Sequence, residues 1–139
     1  QGSNNDDPRI AEGVVVALRA LNEMYMHCKK KGAGFLVVIL PTKEYAFYPF
    51  MAAKTRNANA MEKMRRLARY ENEVRKRIFT VLEAKETDYL DMLPVFRDVI
   101  TQDQVNPYFE SLNGHFNALG NKLIARSIAM HFQEESQGM

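Results

Sequence analysis

One histidine near the end of the chain is well placed for proton transfer. His115 follows Gly114 in the segment Asn113–Asn121, which reads Asn-Gly-His-Phe-Asn-Ala-Leu-Gly-Asn and leads into an amphipathic pattern. Glycine permits a sharp backbone bend, and Asn117 can cap the next helix by accepting a hydrogen bond from a backbone N–H. An imidazole whose backbone is fixed in this way can act as a general base. His115 is therefore the first candidate for a catalytic residue.

A second group of candidates follows two predicted strands. Lys43 can bind an anionic group, Tyr45 and Tyr48 can wall an acyl or sugar pocket, and Asp91 can line the same cleft. Asn117 is predicted to contact substrate as well as to cap a helix. The structural alternatives are a solvated lysine and a set of core aromatic residues, and the sequence leaves both alternatives open.

The sequence predicts no metal and no cofactor. Asp88 and Asp91 are three residues apart, which in a strand directs them to opposite faces and makes a shared metal site improbable. Cys28 is the single cysteine, so neither an internal disulfide nor a cysteine-based zinc site can form.

A basic segment raises the question of a polyanionic partner. Residues 54–77 contain nine Lys or Arg and three Glu, a local charge of 9 − 3 = +6. Such a surface can attract nucleic acid. The glutamates are interspersed with the arginines, however, which is typical of a solvated helix face with internal ion pairs. We therefore expect no nucleic-acid partner.

The spacing of apolar residues predicts alternating helices and strands, with loops in between. Ligand-binding loops are expected at 41–50 and 91–115, beyond the carboxyl ends of the strands. This order predicts an α/β fold with parallel strands in three α/β/α layers. The predicted helices are 8–28, 58–83, a short piece at 95–100 and 117–132, and the predicted strands are 35–40 and 87–93.

Length and composition limit the chain to one domain. The 139 residues, 46% of them hydrophobic, suffice for one core, and no apolar run approaches the roughly 20 residues that cross a bilayer. We expect residues 1–3 to be the remnant of a tag, 4–133 to be a single α/β domain and 134–139 to be a tail. The net charge of +2 indicates no particular class of partner.

The histidine segment resembles the last conserved block of the SGNH hydrolases, the GDSL-type esterases and their acetyltransferase relatives. The resemblance covers residues 114–121 and the Lys-Leu-Ile-Ala that follows. Strand 35–40, the Pro-Thr-Lys-Glu-Tyr after it and Tyr48-Pro49 are similar to the alginate-acetylation branch of that superfamily. The resemblance implies a flavodoxin-like SGNH fold, acyl transfer or ester hydrolysis, and His115 as the base of a triad.

The sequence departs from that family pattern at two members of the triad. The family's serine belongs to an N-terminal Gly-Asp-Ser block, which these residues lack, so the resemblance implies the C-terminal part of such a domain, inactive alone. The family's acid lies two or three residues before the histidine, where this chain has Asn113 and Leu112. An asparagine can orient an imidazole but cannot stabilise its charged form, so Glu110 or Asp91 would have to substitute.

Two functions remain open from the sequence. One is a serine esterase or acyltransferase that acts on a small acyl ester or an acetylated carbohydrate, with His115 and Asn113 at its catalytic site. The other is a noncatalytic carbohydrate- or protein-binding module on the same fold. Two strands make a small sheet, so a missing N-terminal part or a homo-oligomer should complete it. Relatives in this superfamily are often exported, which favours a periplasmic or other extracytoplasmic location.

Overall fold

The computed structural model describes residues 8–54, 57–110 and 114–137. These residues are mainly helical, and the two strands are short. The elements in chain order are α1 Pro8–Lys30, β1 Leu36–Ile39, α2 Lys43–Lys54, α3 Ala58–Ala84, β2 Asp88–Asp91, α4 Leu93–Gln102 and α5 Ala118–Gln137.

The prediction of a three-layer α/β/α fold is wrong. A layered fold of that kind needs a sheet of several strands with helices on both faces. Within the described residues, β1 and β2 form a parallel sheet of only two strands, each four residues long. Helices fill most of the remaining sequence, including the stretch after β1 that was expected to be a loop.

The longest helices and the first strand agree with the sequence pattern. The predicted helices 8–28, 58–83 and 117–132 are confirmed as α1, α3 and α5. Asn57 caps α3, because its side-chain oxygen accepts hydrogen bonds from the backbone N–H groups of Asn59 and Ala60. The second strand is shorter than predicted, since α4 begins at Leu93.

Helix α2 corrects the prediction of a loop at 41–50, and it contains Pro49. Proline lacks the N–H that would bond the carbonyl of Tyr45, four residues earlier. The Arg97 Nη2 donates to that carbonyl at 3.1 Å, and its guanidinium carbon lies 5.0 Å from the centre of the Tyr45 ring. Arg97 thus supplies the hydrogen bond that proline removes, and the helix continues through Pro49.

The described residues divide into two compact units. The first comprises residues 8–37 and 57–89. In it α1 packs on α3, and the Tyr25 hydroxyl donates to the Lys85 carbonyl at 3.0 Å. On the exposed face of α3, Arg65 Nη1 lies 3.2 Å from Glu62 Oε2, an i,i+3 ion pair of the type expected from the mixed charges.

The second unit comprises residues 38–54, 90–110 and 114–137. Helix α4 packs against both α2 and α5. Tyr108 and Phe96 are among its most buried side chains, with exposed fractions of 1% and 0%. Phe47 and Phe50 of α2 also pack on this core, so the aromatic residues after β1 are partly structural. The central buried cluster of this unit consists of Ala46, Met92, Phe96, Ile100 and Tyr108.

No helix among the described residues is both long enough and apolar enough to span a bilayer.

Candidate functional site

His115 lies on an extended segment that pairs with the chain before it. Tyr108 and Phe116 form an isolated antiparallel bridge. The backbone N–H of Phe109 donates to the His115 carbonyl at 2.9 Å, and that of Asn117 donates to the Pro107 carbonyl at 3.1 Å. Tyr108 and Phe116 are therefore the non-hydrogen-bonded pair, whose side chains lie close on one face.

The alternation of side chains between the two faces of this extended segment determines on which face the imidazole lies. The rings of Tyr108 and Phe116 are 5.0 Å apart, and Tyr108 is buried. Successive side chains of an extended chain point to opposite faces, so Phe109 and His115 belong to the outer face. Phe109 is 52% exposed and His115 is exposed. The backbone of His115 is fixed by pairing while its imidazole remains accessible to solvent.

Asn117 holds the two sides of this loop together. Its Nδ2 donates to the carbonyls of Asn106 at 2.7 Å and Tyr108 at 3.1 Å, and its Oδ1 accepts from the N–H of Gly120 at 3.0 Å. Its side chain caps α5, as the sequence predicts. Both the Nδ2 and the Oδ1 of Asn117 are thus used in holding the loop and capping α5, so the role of this side chain here is structural.

Glycine is required at two positions around the histidine. Gly114 has a φ of +66°, a conformation that L side chains rarely adopt. Gly120 lies against the chain, because a Cβ there would collide with the Pro107 carbonyl oxygen and approach Phe116 Cβ to 3.0 Å. The turn before His115 and the packing of α5 on the loop therefore both depend on glycine.

Two hydrogen bonds join the histidine loop to the start of α2. The buried Tyr108 hydroxyl donates to the Pro41 carbonyl at 3.0 Å. The Lys43 Nζ donates to the Phe109 carbonyl at 2.7 Å. Since Phe109 is in turn bonded to His115, Lys43 and the histidine loop form one connected arrangement.

An open pocket of about 310 Å³ lies in this arrangement. Residues 40–44 form one part of its lining, and Gly114 and Phe116 form the other. Gly114 and Phe116, which flank His115 in sequence, therefore line the pocket, whereas His115 itself is not among the lining residues. Its volume is at the lower end of the range for small-molecule sites.

The structure brings only some of the predicted site residues together. Lys43 lines the pocket, whereas Tyr45 lies in α2 beneath Arg97. Tyr48 also lies in α2 and is outside the pocket lining. Asp91 Oδ1 accepts a hydrogen bond from the backbone N–H of Leu93, the first residue of α4, at 2.8 Å, so this carboxylate is engaged by the backbone. Asn113 lies outside the described residues.

Sequence reasoning missed the contributions of Tyr108 and Phe109. Tyr108 carries the buried hydroxyl that anchors the loop, and the Phe109 backbone bonds both Lys43 and His115. A sequence signal was present, since Tyr108 and Phe109 are two consecutive residues of high β-propensity. The segment around Phe116 that pairs with them forms only an isolated bridge, which is too short to show a periodicity in the sequence.

Among residues 8–54, 57–110 and 114–137, no group of three His, Cys, Asp or Glu side chains is arranged to hold a metal ion.

Comparison of the chain with known protein families, with curated proteins and with solved structures gives no match.

Proposed function

We propose that the chain contributes the histidine base of a serine esterase or acyltransferase that acts on small acyl esters or acetylated carbohydrates. The placement of His115 carries this proposal. Its backbone is held by pairing with Phe109, its imidazole is exposed, and Gly114 and Phe116 on either side of it line an open pocket. A general base needs a fixed backbone and an imidazole that substrate can reach, and His115 has a paired backbone and an exposed side chain next to two residues of the pocket lining.

In the proposed reaction a serine hydroxyl attacks the acyl carbon and its proton passes to the imidazole of His115. The tetrahedral intermediate collapses to an acyl-enzyme, and His115 returns the proton to the departing alcohol oxygen. Water, or an acceptor hydroxyl in a transferase, then attacks the acyl-enzyme by the same proton route. The second step releases the acid or the new ester and restores the serine.

The nucleophile in this proposal comes from a segment of the native protein outside these 139 residues. None of the four serines of the chain stands in a Gly-Asp-Ser block. Ser136 lies within α5, where its hydroxyl donates to the Phe132 carbonyl at 2.8 Å. Ser127 also lies within α5. Neither helical serine is in the sequence context of the family's nucleophile.

Glu110 is a better candidate than Asp91 for the acidic partner of His115. Asp91 already accepts the hydrogen bond from Leu93 that begins α4. Glu110 is exposed and directly follows Phe109, whose backbone N–H donates to the His115 carbonyl. Asn113 would orient the imidazole without stabilising its charged form.

Hydrolysis of a short acyl ester by the full-length native protein tests this proposal. We expect His115→Ala to lower kcat/KM by about 1,000-fold or more, because it removes the base of the triad. His27→Ala is the matched control, since His27 is an exposed histidine on α1, and it should leave the rate unchanged. Equal rates for the native protein and His115→Ala would contradict the assignment.

A noncatalytic carbohydrate- or protein-binding module is the second candidate. The observation that favours it is the Lys43 ammonium in the pocket, bonded to the Phe109 carbonyl, because a cation at a pocket can bind ligand without any reaction. A native protein that is inert towards esters and acyl donors, yet binds a ligand in this pocket, would establish the module and exclude the enzyme.

A further inference from the structure

The Lys43 side chain brings a positive charge to the pocket. Its Nζ donates to the Phe109 carbonyl at 2.7 Å. An ammonium group has three N–H donors, and a carbonyl bond uses one of them. The carbonyl is also uncharged, so this bond orients the ammonium without cancelling its charge. Lys43 can therefore bind an anion while it stays bonded to the loop.

The rest of the lining limits what that anion can be. Pro41 and Phe116 give apolar surface, which accommodates a short hydrocarbon body. Glu44 also lines the pocket and carries a negative charge. Successive side chains of a helix diverge by about 100°, so Lys43 and Glu44 face different parts of the space. A ligand with one negative charge is attracted by Lys43, whereas a second negative charge would be repelled by Glu44.

We propose that this pocket binds a small monocarboxylate, with its carboxylate on the Lys43 ammonium and its apolar part against Pro41 and Phe116. This inference goes beyond the proposed acyl chemistry, because such a pocket serves an enzyme and a binding module alike. A carboxylate adds the attraction between two opposite charges to its hydrogen bond with the ammonium, whereas an uncharged amide of the same size offers the hydrogen bond alone.

Titration of the 139-residue chain with butyrate, followed by the amide NMR signals of Lys43, Gly114 and Phe116, tests the inference. Butyramide, which has the same shape without the charge, and succinate, which has two charges, are the comparison ligands. We expect butyrate to bind at least fivefold more tightly than either of them, a ratio that suits a partly exposed charge pair.

Three variants separate a role of Lys43 in binding from a role in folding. Lys43→Gln should weaken butyrate binding about fivefold to tenfold, and Lys43→Arg should retain most of it. Glu44→Gln should strengthen succinate binding, and this variant leaves the Lys43 bond to Phe109 in place. Lys76→Gln is the control, since Lys76 is an exposed lysine on α3.

Equal affinities for butyrate and butyramide, or no effect of Glu44→Gln on succinate, would overturn the inference. These outcomes are independent of the ester assay. Butyrate binding without ester hydrolysis would leave the pocket assignment standing and reject the acyl chemistry. Ester hydrolysis by the native protein without butyrate binding would support the acyl chemistry and reject the pocket assignment.

Discussion

At the residue scale, the site depends on how tightly the chain is packed around His115. Asn117 bonds both sides of the loop, and Gly120 allows α5 to approach the Pro107 carbonyl. These residues do not touch substrate in our account. Their role is to fix the backbone from which the imidazole projects. Substitutions at these positions should therefore lower the free energy of unfolding.

Gly120→Ala should destabilise the chain by about 3 kcal/mol, because the added methyl group meets backbone that cannot move aside. Gly13→Ala is the matched control, since nothing lies within 4 Å of a Cβ at that position in α1. The control should stabilise the chain by about 0.5–1 kcal/mol through helix propensity. Urea denaturation followed by circular dichroism measures both changes. A Gly120→Ala protein as stable as the wild type would show that the loop is not close-packed.

At the element scale, α2 is the feature that sequence reasoning misread. The position of residues 41–50 beyond the carboxyl end of β1 predicted a ligand-binding loop. In the structure residues 43–54 form a helix whose missing hydrogen bond is supplied by Arg97. That compensation comes from 52 residues further along the chain. No local pattern can reveal such a partner, whereas the periodic apolar faces of α1, α3 and α5 are local and were predicted correctly.

A double-mutant cycle tests this compensation. Arg97→Met removes the bond to the Tyr45 carbonyl and should cost about 1–3 kcal/mol of the free energy of unfolding. In a Pro49→Ala background the new Ala N–H can bond the same carbonyl, so the cost of Arg97→Met should fall by about 1 kcal/mol. Chemical denaturation of the four proteins gives the coupling. An equal cost in both backgrounds would mean that Arg97 does not replace the proline's lost bond.

At the candidate site, too, local features could be predicted from the sequence and long-range contacts could not. The histidine, its glycine turn and the Asn117 cap are contiguous in sequence, and their local arrangement was predicted. The anchoring Tyr108 bond to Pro41 and the Lys43 bond to Phe109 join residues 67 and 66 positions apart. These contacts follow from tertiary packing, which explains why the sequence suggested Lys43 as a candidate without showing what holds it.

At the scale of the whole molecule, the small sheet is the main departure from expectation. Three-layer folds bury parallel strands on both faces, and four-residue strands in a pair leave backbone N–H and C=O groups at their outer edges. Within the described residues, neither β1 nor β2 has a second strand neighbour. Such edges favour the addition of another strand.

We therefore expect the 139-residue chain to self-associate through its strand edges. Sedimentation equilibrium over a wide range of protein concentration should show an average mass that rises with concentration. A constant monomer mass over the whole range would contradict this expectation. The result bears on the sheet alone, and it leaves the assignment of His115 untouched.

Chemical rescue with free imidazole shows whether the imidazole of His115 works as a base. In the full-length native protein, His115→Gly should lose ester hydrolysis, and added imidazole should restore part of the rate, because His115 is exposed and free imidazole can reach its place. His27→Gly should neither lose activity nor respond to imidazole. Undiminished hydrolysis by His115→Gly, or a loss of activity that added imidazole does not restore, would exclude His115 as the base.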